Sequence, residues 1–162
     1  MSVELVKELL QNLVRIHEDL LQTSEQKTEV IKEGSVEKLQ AVLIKERKHI
    51  QVLDKTEEKR KQVVEQWFAT KGLSNEDTTI TKMLELINDE REQKEVEEVT
   101  VALTEIMLKL KQQEQLNMAL IQQSMQFVQL SLDLMSPSLK NMNYGNEKEK
   151  STVNRSMFDS KA

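Results

Sequence analysis

The sequence predicts an all-α protein, an elongated antiparallel helical bundle or coiled coil of three long helices plus one short one. Three observations carry this reading. The chain of 162 residues holds three glycines and one proline, where average usage would supply about twenty of the two together. Little material is therefore left for turns. Apolar residues recur at intervals of three and four, the period of a helix buried along one face. Only five aromatic residues are present, Trp67, Phe68, Phe127, Tyr144 and Phe158, so the core is expected to be thin, built without the large rings a thicker domain uses.

The few breakers set the elements in order. Gly34 ends the first apolar-periodic run and Ser35 can cap the next. Helix one is thus expected over 2–32, with Leu5, Val6, Leu9, Leu10, Leu13, Ile16, Leu20, Leu21 and Ile31 on its apolar side. Helix two, over 36–71, places Val36, Leu39, Leu43, Ile50, Leu53, Val64 and Trp67 in one frame of threes and fours that also contains Glu46, Glu57 and Arg60. That is a coiled-coil seam interrupted by polar positions. Gly72 stops it, and Ser74 or Asn75 offers the next cap. A short amphipathic helix follows over 76–90, around Ile80, Met83, Leu84 and Ile87. The acidic stretch 90–96 is either a break or a solvated helical passage. From Glu95 one helix runs to Met135, and Pro137 is expected to end it. Residues 1–136 then form the helical domain, and 137–162, polar and aperiodic, a mostly disordered tail.

Net charge is −5 and uneven: residues 1–72 balance 13 basic against 13 acidic groups, whereas 73–136 carry 5 against 12. This argues against nucleic acid, which selects a basic face. Cysteine is absent, which removes disulfides and thiolate metal sites. The N-terminus, with Glu4 and no basic-then-apolar pattern, does not read as a secretory signal; a cytoplasmic location is expected.

The stretch QLNMALIQQSMQFVQLSL, residues 115–132, stands apart because it carries no charge in a chain that is 31% charged. Eight of its residues are Gln, Asn or Ser, too polar to insert into a membrane. At 100° per residue it presents two apolar stripes. Leu116, Leu120, Phe127, Leu130 and Leu134 form one. Met118, Ile121, Met125, Val128, Leu132 and Met135 form the other, about 150° away. Asn117, Ser124 and Ser131 lie between them at seven-residue spacing. Two readings are open. Both stripes are internal to a three-helix coil, which needs a broad apolar arc, or the methionine-bearing stripe is exposed and receives another protein's helix. Methionine, flexible and polarizable, suits surfaces that accept partners. Glu46, Glu57, Arg60, Gln113 and Asn117 are expected to fix helix register, and Asn117 could alternatively meet a partner's backbone.

Catalytic patterns are weak. Glu46 and His49 have the Glu-x-x-His spacing of di-iron bundles, but such sites need a second pair, and Val14 occupies the corresponding position before His17. No phosphate-binding glycine loop or nucleophile elbow is present. Neither an enzyme nor a cofactor is expected.

The passages GSVEKLQAVLIKERKHIQVLDKTEEKR and LKQQEQLNMALIQQSMQFVQLSL resemble the FlgN family of flagellar export chaperones. Asn117, Leu120, Ile121, Ser124, Met125 and Phe127 match its N-x-x-L-I-x-x-S-h-x-F pattern, in which h is apolar. Asn143–Gly145 and the final SMFDSKA are similar to the tails of Gram-positive members. The resemblance implies a helical chaperone that binds C-terminal helical segments of hook–filament junction proteins, prevents their premature assembly and delivers them to the flagellar export gate. It places partner contacts on the matching Asn117, Leu120, Ile121, Ser124, Met125 and Phe127, to which the exposed-stripe reading adds Met118, Val128, Leu132 and Met135, and it makes Tyr144 the candidate export-gate contact. The alternative is a coiled-coil adaptor or scaffold whose stripes serve self-association; weak self-association is compatible with either.

Overall fold

The computed structural model describes the backbone of residues 2–73 and 77–159, and the side chains of residues 2–73 and 77–136. Among the described residues there are four helices and no strand: α1 (Val3–Glu33), α2 (Val36–Thr70), α3 (Ile80–Leu86) and α4 (Glu90–Asp159). The chain divides into two units, residues 1–120 and residues 121–162.

Local chemistry sets the helix ends. Ser2 caps α1, its hydroxyl accepting from the Leu5 N–H at 3.3 Å. Gly34 terminates α1 at φ 73°, a left-handed setting that costs other residues free energy because of their Cβ. Its N–H donates to the carbonyls of Val30 and Ile31. Ser35 then caps α2 through the Lys38 N–H, so the expected stop and restart are one compact device. Gly72 supplies the second left-handed residue, φ 74°. The expected caps Ser74 and Asn75 lie outside the described residues; Thr79 caps α3 instead.

The short helix is smaller than the expected 76–90. Two β-branched threonines, Thr78 and Thr79, precede it, and Ile87 is already extended. The carboxylate of Asp89 then accepts from the N–H groups of Arg91 and Glu92 at 2.9 and 3.0 Å, which starts α4 at Glu90. The break therefore falls at 87–89, and residues 90–96 are helical. At its other end α4 does not stop at Pro137: its backbone continues to Asp159. Proline forfeits one hydrogen bond and crowds the carbonyl four residues back, a local cost of about 3 kcal/mol, whereas its fixed φ is helical, so an established helix can pass through it.

In the first unit the pairing direction follows from side-chain bonds. Lys27 meets Glu46 and Lys45 meets Gln26, so residue numbers on α1 and α2 sum to a near-constant value and the helices are antiparallel. Lys7 meets Glu95, Ser24 meets Glu114 and Thr28 meets Asn117, separations of 88, 90 and 89. A constant difference means that α4 runs parallel to α1 here, giving an up-down-up arrangement of the long helices.

The apolar core occupies one end of this arrangement. Val6, Leu9, Leu10 and Leu13 of α1 pack with Val63, Val64, Trp67 and Phe68 of α2, closed by Met83, Ile87 and Val96. Trp67 and Phe68 meet edge to face at 5.2 Å, and the Lys71 ammonium lies 5.4 Å from the indole centroid. The α2 seam expected from Val36 onward is buried only in its second half: Val36, Leu43 and Ile50 are exposed. Opposite that first half, α1 buries Thr23, Ser24, Lys27 and Thr28 rather than apolar side chains.

Phe68→Ala is expected to cost about 3–5 kcal/mol of unfolding free energy, measured by chemical denaturation. Leu134→Ala, on an exposed part of α4, is expected to stay within about 0.5 kcal/mol.

A register lock and a candidate partner-binding helix

The polar half of the first unit is organised by one ammonium group. Lys27 Nζ donates to Glu46 of α2 at 2.6 Å and to Glu114 of α4 at 2.9 Å, so a single α1 side chain ties both neighbours. Glu114 also accepts from the Ser24 hydroxyl at 2.8 Å. One turn further on, Asn117 is 1% exposed. Its amide donates to the Ser24 carbonyl at 2.9 Å and hydroxyl at 3.0 Å, while its oxygen accepts from Thr28. Gln113 donates to the same threonine hydroxyl at 2.6 Å. Among the described residues, no buried side-chain polar atom lacks a partner, which is what a polar layer must achieve inside a bundle.

Burial disfavours the Lys27 charge, but the hydrogen bonds it donates to Glu46 and Glu114, with their Coulombic attraction, outweigh it and hold the amine above the usual lysine range. Closer to the apolar core, Glu57 and Arg60 form a two-pronged pair at 2.8 and 2.6 Å. The arginine's hydrogen bonds lead the causes that lower the Glu57 carboxyl below its ordinary value. This pair spans one turn of α2, so these two residues do not join helices as the seam pattern predicts. They line a cleft of about 520 Å³ together with Leu13, His17, Leu53, Leu103 and Met107. His17 is buried, its Nδ1 donating to the Leu13 carbonyl at 2.7 Å.

The predicted contact residues fall into two groups. Asn117, expected among partner contacts, is committed to α1 and serves register, the other role its sequence position suggested. Leu120 is half-buried. By contrast Met118 is 63% exposed, and every large apolar residue from Ile121 to Met135 is exposed, from 39% at Ile121 to 72% at Leu134. Both stripes are therefore open on this stretch: Ile121, Met125, Val128, Leu132 and Met135 on one, Phe127, Leu130 and Leu134 on the other. Ser124 lies exposed between them. The reading in which both stripes are internal does not describe residues 121–135. The side chain of Tyr144 lies outside the described residues.

Sequence reasoning missed Ser24, Lys27, Thr28 and Glu114. A signal was present: the apolar run of α1 lapses between Leu21 and Val30, and Ser24, Lys27 and Thr28 hold helical spacing within that gap.

A helical bundle that seals its own polar layer while leaving two apolar stripes open on one helix has the form of a helical binding protein. The chain belongs to the FlgN protein family, whose model matches residues 1–152. That is a chaperone family rather than an enzyme family, and membership suggests a flagellar export chaperone. The chain is also similar, at 33% identity over 166 residues and across the whole of both sequences, to the uncharacterized protein YvyG of Bacillus subtilis (strain 168). No solved structure matches it. Among the described residues, no helix is long and apolar enough to cross a membrane.

Because the folded state favours charged Lys27, its contribution is complete below the unfolded lysine value of about 10.4 and is lost as pH rises through the higher folded value. Scanning calorimetry at rising alkaline pH is expected to show the wild-type melting temperature falling more steeply than that of Lys27→Met. Asn117→Ala, which strips partners from Ser24 and Thr28, is expected to cost about 1–3 kcal/mol by chemical denaturation.

Proposed function

We propose that this protein is a flagellar export chaperone that binds the C-terminal helical segments of hook–filament junction proteins on the exposed part of α4. In this reading it keeps those segments from assembling early and delivers them to the export gate. The supporting observation is the uncharged, doubly striped stretch of α4, exposed in a chain that belongs to the FlgN family. A visiting amphipathic helix would lie along Met118, Ile121, Met125, Val128, Leu132 and Met135, presenting its own apolar face in the manner of helix-in-groove recognition. Leu120 and Phe127 would contribute from the other stripe, and Ser124 from between them.

The energetics suit a carrier that must let go. Six such side chains bring roughly 9–18 kcal/mol of gross burial at 1.5–3 kcal/mol each. Association and ordering costs consume a large part of that. The uncharged flanks require no ion to be stripped of water on binding or rehydrated on release. At the export gate, Tyr144 is the proposed contact.

The test is capture of a junction protein by the full chain from flagellated cells. The wild-type chain is expected to retain it. Met125→Glu and Val128→Asp are each expected to abolish capture while leaving the circular-dichroism helix signal unchanged. Undiminished capture by both variants would remove α4 as the binding surface.

A further inference from the structure

The methionine-bearing stripe reads almost the same in both directions. Its six residues, Met118, Ile121, Met125, Val128, Leu132 and Met135, are spaced 3, 4, 3, 4 and 3. Reversing the helix sets Met118 against Met135, Ile121 against Leu132, and Met125 against Val128. Each of these facing pairs is apolar. That is the property an isologous two-fold interface requires, because each surface must complement a reversed copy of itself. We propose that in the free protein this stripe pairs with the same stripe of a second copy, antiparallel, about a two-fold axis between Met125 and Val128.

Charge selects this occupant. Coiled coils commonly choose partners through charges flanking the seam, and here the flanks are Gln122, Gln129, Ser124 and Ser131, with no sign to recognise or repel. A chain of net charge −5 meets its own kind with least repulsion along a stretch whose one charge, Asp133, lies off the stripe on the glutamine face. Antiparallel order also separates the Asp133 carboxylates: at 1.5 Å per residue, that of one copy lies roughly 20 Å along the axis from that of the other. Parallel order would set them side by side.

Area sets the strength. Six side chains offering about 60–120 Å² each bury on the order of 400–700 Å² per copy, a range that straddles the lower bound of roughly 600 Å² per partner for a stable interface. The pairing is therefore weak and concentration-dependent. It occupies the surface assigned above to the junction protein, so it rests on the same exposed stripe, and the junction protein's helix would displace the second copy.

The chain contains no cysteine, which permits a direct test with the full protein. Sedimentation equilibrium over roughly 1–100 µM is expected to show mass rising toward two copies, and Val128→Asp, folded by circular dichroism, is expected to weaken pairing by more than about 100-fold. Under mild oxidation, Met118→Cys mixed with Met135→Cys is expected to give a covalent dimer. Met118→Cys alone is expected to give none, since its two copies would lie about 26 Å apart along the axis and a disulfide tolerates about 7 Å between Cα atoms. A single-copy mass throughout, or efficient cross-linking by Met118→Cys alone, overturns the proposal. A chain that stays single yet captures a junction protein refutes the pairing and leaves the chaperone reading intact. A chain that pairs in this register but captures nothing supports the pairing and removes the chaperone reading.

Discussion

Lys27 reaches two carboxylates on two different helices, and neither bond can form unless α2 and α4 stand at one axial setting against α1. Apolar packing alone is permissive about such settings, because one heptad layer resembles the next. A buried ammonium is not permissive. Sliding either neighbour by a turn would leave a charge inside the bundle without its partner, the situation that costs most in a folded protein. Asn117 repeats the constraint one turn further along, where its amide reads both the carbonyl and the hydroxyl of Ser24. The three long helices of the first unit are held together by apolar burial and held in register by these bonds.

This division of labour places stabilisation and specificity at different ends. The apolar end, around Phe68, Leu10 and Val64, excludes water and supplies most of the burial energy. The polar end contributes less net energy, since each hydrogen bond replaces one made to water, but it tolerates only one alignment. Its position matters for function. The layer finishes at Asn117, and the apolar residues beyond Leu120 are left open. A chain rarely leaves that many apolar side chains exposed along one helix without a use for them, and the use proposed above is to receive a partner's helix.

The missing charges in this stretch have a physical meaning on either occupant. Surrounding the stripes with glutamine and serine lets the same face be wet in one state and covered in another, with hydrogen bonds exchanged rather than ions desolvated. A charged flank would bind its matched partner more selectively and would also refuse a second copy. The observed composition trades that selectivity for reversibility.

Much of this was legible in the residues themselves. Gly34 with Ser35 marks the first hairpin, because glycine takes the left-handed setting most cheaply and a short polar side chain such as serine's caps the next turn. The shortage of glycine and proline dictates long helices, and the 100° period of residues 116–135 dictates two stripes on α4. These are local properties, set by steric and hydrogen-bonding rules within a few residues. Tertiary structure decided which positions are covered. Val36, Leu43 and Ile50 carry a seam's spacing yet lie exposed, whereas Leu39, Glu46 and Leu53 of the same frame are partly covered and Glu46 receives Lys27 of α1; burial depends on what stands opposite. In the same way, seam spacing marks Glu46 but nothing local distinguishes Glu114 from the chain's other acidic residues; their shared role exists only because folding brings both to one lysine.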